Sequence, residues 1–170
     1  MNLTTYLTDK NKKNIFLSLC VIIAVCLNFF EGIIPVSGIF PGIKVGISNI
    51  VVMAVIYMFS LKEGLLLTFL KSIFITLLSG NVTSFLYSIV GGLMSAFLMG
   101  VLKNNKNLSP IGVSLSGSFI HITSQILVAY FVINSSAVFY YYPFMLLISI
   151  ITGFINGIIV KMLLKFLRGE

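Results

Sequence analysis

Long apolar stretches separated by short polar, glycine- or proline-bearing breaks run the length of the chain. Stretches such as Ile15 to Phe30 and Ile111 to Ile133 approach the roughly 20 residues that a membrane-spanning helix needs. They do not alternate with a period of two, which argues against the strands of a closed barrel. Helices then remain as the structure that satisfies its own backbone in hydrocarbon. The pattern predicts helices at about 15–32, 46–60, 64–79, 83–102, 111–133 and 142–167, with the second and third short. Breaks fall at Pro35 to Gly42, Lys62 and Glu63, Ser79 to Asn81, Lys103 to Lys106, and Asn134 to Ser136. The expectation is an all-α membrane protein of six transmembrane helices in one integral membrane domain, 1–170, with no second domain, long linker or internal repeat.

Composition strengthens this reading. Of the 170 residues, 58% are hydrophobic and 9% charged, against the roughly 25% charged of a soluble domain. With a mean hydropathy of +1.11, too few polar residues remain to cover an aqueous surface, so the lipid bilayer is the expected surrounding. A net charge of +7 would point to nucleic acid in a soluble protein. Here it reports topology, and no nucleic-acid partner is expected.

With the N-terminus in the cytoplasm, the inner segments hold Lys10, Lys12, Lys13, Lys62, Lys103, Lys106, Lys161, Lys165 and Arg168. Those are nine of the eleven Lys and Arg residues; Lys44 alone falls in an outer loop and Lys71 lies within the third helix. The positive-inside rule therefore predicts a multi-pass protein with both termini cytoplasmic. The apolar run that follows the polar leader of residues 1–14 carries no A-x-A cleavage signal and is expected to be retained as the first helix.

A charge at the bilayer centre costs on the order of 2.5–3.5 kcal/mol, so each ionisable residue inside a helix calls for a reason. Glu31 sits near the outer end of the first helix, either as an interfacial carboxylate or paired with Lys44 to pin the first loop. Lys71, midway along the third helix, is too deep for easy snorkelling and is expected to face a partner, a wet cavity or an anionic ligand. His121 and Gln125 are four apart and so share a face of the fifth helix, where they serve a ligand or neighbouring helices. Asn49, Tyr87, Ser88 and Asn156 add polar positions at middle or outer depth. Gly91, Gly92, Gly153 and Gly157 permit close helix packing, and Cys20 with Ala24 makes a small-residue stripe that could dock a membrane partner. Cys20 and Cys26 read as apolar fillers, and no metal site or cofactor is expected. No catalytic constellation appears: there is one His, no P-loop, no acidic pair for magnesium and diphosphate, and Asp9 is the only aspartate.

The segment from Glu31 to Pro35, followed by PGIKVGISNIV from Pro41 to Val51, resembles the signature of a bacterial family. It is the Gx transporter family, also labelled heptaprenyl diphosphate synthase component I. The likeness continues through Lys71, the stretch from Tyr87 to Met99, and that from Ile111 to Gln125, and so spans nearly the whole chain. At two positions the chain departs from the family: Ile122 follows His121 where Asn is expected, and Lys71 replaces a commoner Arg, which keeps the charge but loses bidentate reach.

The resemblance implies a fold similar to the S components of energy-coupling factor (ECF) transporters in the bacterial plasma membrane. There six helices hold a small-molecule ligand in an outward-facing cavity beneath the first loop, while a transmembrane T subunit and two ATPases drive uptake. Pro35, Gly38, Pro41 and Gly42 would then shape the cap. Glu31, Lys44, Asn49, Lys71, Tyr87, His121 and Gln125 would bind the substrate. Two other roles stand beside this one: a non-catalytic accessory subunit of heptaprenyl diphosphate synthase, and a membrane partner of a flavin or quinone redox system.

Overall fold

The computed structural model describes residues 9–32, 44 and 46–168. Among them are six α-helices: α1 (Lys10–Glu31), α2 (Asn49–Met58), α3 (Leu61–Ser79), α4 (Val82–Leu102), α5 (Pro110–Ile133) and α6 (Tyr142–Arg168). A 3-10 segment (Ser136–Tyr141) precedes α6. No strand occurs among the described residues. Pro35, Gly38, Pro41 and Gly42, expected to cap the cavity, lie outside them.

Each boundary has a local cause. Asp9 accepts from the Asn11 N–H and starts α1 five residues earlier than the apolar pattern predicts, so Lys10, Lys12 and Lys13 belong to its first turns. Ser60 and Asn81 cap α3 and α4 in the same way, and Ser109 caps α5 with Pro110 at its first position. Gly80 and Asn134 close α3 and α5 in left-handed conformations.

The largest departure from the expected boundaries is α2, which has ten residues where fifteen were predicted. Gly46 adopts φ +93°, and the Asn49 N–H bonds back to the Gly46 carbonyl, so the chain turns before the helix begins. Ten residues rise about 15 Å, half of a roughly 30 Å hydrocarbon layer. This half-length helix packs against α1, α3, α4 and α6 and is apolar all round, as a helix enclosed by others must be. Val52, Met53, Ala54, Val55 and Ile56 are all buried.

Among the described residues, four segments are long and apolar enough to cross a membrane: α1, α4, α5, and the 3-10 segment with α6. Polar and apolar residues are inverted relative to a soluble protein. Leu77, Phe131 and Phe166 are exposed, while Glu31, Lys71, His121 and Gln125 are buried. The chain is an all-helical membrane protein.

Inside the bundle, two apolar clusters accompany a polar layer. One joins Cys20 and Ala24 of α1 to Val52 and Ile56 of α2, Leu67 of α3, Met99 of α4, Val113 of α5 and Val160 of α6. The Cys20–Ala24 stripe is thus spent on internal packing rather than facing out for a partner. The other cluster gathers Tyr87, Ile122, Ile126, Ala129, Val138 and Met145. At the lysine-rich end, the Lys13 ammonium meets the Glu63 carboxylate at 2.5 Å, Glu63 also accepts from Ser60, and Lys103 donates to the Ile56 carbonyl at 2.7 Å. These contacts tie the α2–α3 turn to α1 and α4.

Close helix approach depends on glycine. A Cβ on Gly157 would lie 2.6 Å from Ile111 Cα, and one on Gly153 would lie 3.2 Å from Leu115 Cα, so α6 rests on the backbone of α5. Gly157→Ala is therefore expected to lower stability in detergent by about 1–3 kcal/mol. Gly112→Ala, whose Cβ would meet only the ends of the Leu108 and Ser109 side chains, should stay within about 0.5 kcal/mol of the parent or exceed it. Equal thermal unfolding of the two variants would contradict this packing.

Candidate functional site

The polar layer is built around the chain segment that leads into α2. Non-helical backbone at this depth needs a partner for each N–H and C=O, because no lipid group supplies one. The Lys44 N–H donates to Gln125 Oε1 of α5 at 3.1 Å. The N–H groups of Gly46 and Ile47 both donate to Glu31 Oε1 of α1, the latter at 3.1 Å. Asn156 Nδ2 of α6 donates to the Gly46 carbonyl at 3.1 Å. Side chains from three helices thus hold a segment with no ladder of its own.

Two lysines enter the same layer. The Lys44 ammonium donates to Asn28 Oδ1, whose amide in turn donates to Ser48 Oγ at 3.3 Å. Lys71, only 1% exposed, donates to Ser48 Oγ at 3.0 Å and to Asn49 Oδ1 at 3.4 Å. Two ammonium groups and one carboxylate leave a formal excess of one positive charge. Neither lysine is within ion-pair distance of a carboxylate among the described residues, so they are held by neutral oxygen acceptors.

The His121 tautomer follows from the network. Gln125 Oε1 is committed to Lys44, so its Nε2 faces His121 Nε2 at 3.0 Å. An amide NH₂ can only donate, so the ring nitrogen accepts and carries no proton. The imidazole is then neutral, with its proton on Nδ1. That Nδ1, Asn49 Nδ2 and Glu31 Oε2 are buried without a hydrogen-bond partner among the described residues. Two of the three are donors. Gly91 makes room for this arrangement: a Cβ there would lie 2.9 Å from Gln125 Cγ and 3.2 Å from His121 Cε1.

Of the residues singled out in the sequence, Glu31, Lys44, Asn49, Lys71, His121 and Gln125 meet in this layer. Tyr87 does not join their hydrogen bonds and packs in the apolar cluster with Ile122 and Met145. Glu31 pins the first loop through the backbone of Gly46 and Ile47, not through the Lys44 ammonium, which Asn28 holds instead. Asn28 and Ser48 escaped the sequence reading, although Asn28 lies three residues before Glu31 and so shares its helix face. Asn156, read as one of several polar positions, holds the Gly46 carbonyl. Among the described residues, no group of three His, Cys, Asp or Glu side chains could hold a metal ion.

The Lys44–Asn28 contact has a direct test. Asn28→Leu should cost about 3 kcal/mol by leaving a buried ammonium unpaired. The double variant N28L/K44M should recover about 1–3 kcal/mol of that loss. Strict additivity in unfolding measurements would mean the two side chains do not depend on each other.

A family model described as heptaprenyl diphosphate synthase component I matches residues 20–163, and the chain belongs to that family. No curated protein and no solved structure matches it.

Proposed function

We propose that the chain is a membrane-embedded solute-binding subunit, similar to the S components of ECF transporters, which captures a small anionic or amphipathic molecule for uptake. The observation that carries this reading is the surplus in the polar layer. One formal positive charge and the donors Asn49 Nδ2 and His121 Nδ1, unpartnered among the described residues, are enclosed where each costs free energy until an acceptor arrives. A ligand rich in acceptors and negative charge supplies what the layer lacks.

In this reading all six helices span the bacterial plasma membrane with both termini cytoplasmic. The nine Lys and Arg residues of the inner segments support that orientation. Lys71 balances ligand charge, and His121 and Gln125 orient the ligand. Energy comes from a separate T subunit and ATPases.

The family description favours a second reading. A component I is the non-catalytic subunit of a two-component synthase, with catalysis belonging to component II. In that role the chain docks the catalytic subunit at the bilayer or holds its product.

Co-purification from native membranes separates the two: a T subunit with paired ATPases supports uptake, whereas recovery of a prenyl diphosphate synthase with normal solute uptake in a deletion strain supports the accessory role. Within the uptake reading, Lys71→Met should reduce solute accumulation about tenfold or more in a folded protein. Unchanged accumulation would remove Lys71 from the site. His121→Asn, whose amide nitrogen overlays Nδ1, should retain more uptake than His121→Gln, whose amide overlays Nε2. The reverse order would mean that the Nδ1 proton is not what the ligand meets.

A further inference from the structure

Gly46 is where the Glu31 carboxylate and the Asn49 amide come together. Its N–H and that of Ile47 both donate to Glu31 Oε1, just ahead of α2. Ser48, which caps α2, makes no side-chain bond to the helix. Two successive N–H groups with the first residue at φ +93° form a concavity of the kind that seats anions, and the dipole of α2 adds to its positive potential. Glu31 fills that seat with one oxygen and leaves the other, Oε2, without a partner among the described residues.

The unpartnered amide of Asn49 borders the same glycine. A Cβ on Gly46 would lie 3.1 Å from Asn49 Nδ2, whereas His121 turns its Cδ2 and Nε2 edge toward it, at 3.3 and 3.7 Å. Glu31 and Asn49 are 2% and 5% exposed, so water at the surface does not satisfy them. Lys71 donates to Asn49 Oδ1 and brings its charge to the same place. Two backbone N–H groups, an amide NH₂ and an ammonium form a donor set larger than one carboxylate oxygen can use.

We propose that Glu31 is a resident stand-in for the ligand's own oxyanion, and that a phosphoryl group takes the Gly46 and Ile47 N–H groups by displacing the Glu31 carboxylate. This deepens, and rests on, the reading of the chain as the binder of an anionic solute. Charge selects phosphoryl over carboxylate. Once Glu31 withdraws, the Lys44 and Lys71 ammonium groups face the newcomer together, and a dianion balances both where a carboxylate balances one. Glu31 then sets a threshold: a weak or singly charged anion does not repay its displacement, and the segment from Gly46 to Ser48 stays pinned until a stronger one arrives.

The test uses the full chain in phosphatidylcholine nanodiscs, with inorganic phosphate and acetate titrated calorimetrically against the parent, Glu31→Gln and Glu31→Asp. The parent should bind phosphate about tenfold or more tightly than acetate, and E31Q should bind phosphate about tenfold more tightly than the parent, because its competitor has lost its charge. E31D keeps the charge with a shorter reach and should fall between them; it decides the matter if E31Q does not fold. Phosphate binding that is unchanged or weakened in E31Q and E31D overturns the displacement while leaving an anion site. Acetate binding as tight as phosphate overturns the phosphoryl assignment alone. Absence of binding by either anion to all three proteins overturns both this inference and the solute-binding reading. Repeating the titration with phosphatidic acid in the nanodisc distinguishes the source of the phosphoryl group: competition with free phosphate identifies a lipid headgroup, and its absence a soluble solute.

Discussion

The fold depends on satisfying a short piece of non-helical backbone in the middle of a helical bundle. A continuous helix uses its own N–H and C=O groups, but the segment from Lys44 to Ser48 cannot. Glu31 takes two of its N–H groups, Gln125 a third, and Asn156 shares the Gly46 carbonyl with the first turn of α2. These three side chains come from α1, α5 and α6, so the same bonds that satisfy the segment also fix those helices relative to one another. A half-length α2 follows: the chain has already reached the middle of the bundle before the helix starts, and ten residues carry it to the lysine-rich end.

Satisfying the segment brings charge with it. Glu31 is buried because its carboxylate serves the backbone. Lys44 and Lys71 are buried beside it with neutral oxygens as their direct partners. Replacing such a layer by well-packed apolar residues would in many proteins be neutral or stabilising. Its cost is offset by the two apolar clusters and by the glycine-mediated contact of α6 with α5, where backbones approach closely enough to gain dispersion without large side chains. The stabilising contacts of the bundle therefore lie outside the layer's own hydrogen bonds, and among the described residues the layer remains short of acceptors.

Much of this was legible in the sequence because spanning helices are written in uninterrupted apolar runs. The ends of α4, α5 and α6 lie within a residue of their expected positions. Isolated ionisable residues in those runs also announced themselves, and Lys71, His121 and Glu31 do meet. What the sequence did not reveal is direction. A helix apolar all round gives no moment to show which face turns inward, so Cys20 and Ala24 read as an outward stripe although they pack against α2. Tyr87 read as polar although it packs among apolar side chains. Asn28 was hidden at the end of an apolar run, and Ser48 looked like an ordinary loop serine. The short α2 was invisible because apolar residues continue on both sides of it, and only the conformation of Gly46 says where the helix cannot extend.

His121 shows how far local chemistry reaches in such a layer. The Lys44 backbone orients the Gln125 amide, the amide donates to one nitrogen of the ring and so selects the tautomer in which that nitrogen accepts, and the proton sits on the other, on the edge of the ring away from Gly46. A main-chain N–H on the first loop thereby decides what His121 offers to anything that enters. Movement of that loop would free the Gln125 oxygen, remove the reason for the amide's orientation and allow the ring to reverse its donor and acceptor. Loop position and the hydrogen-bonding character of the site are consequently one variable, carried by a chain of three groups rather than by any change in the helices.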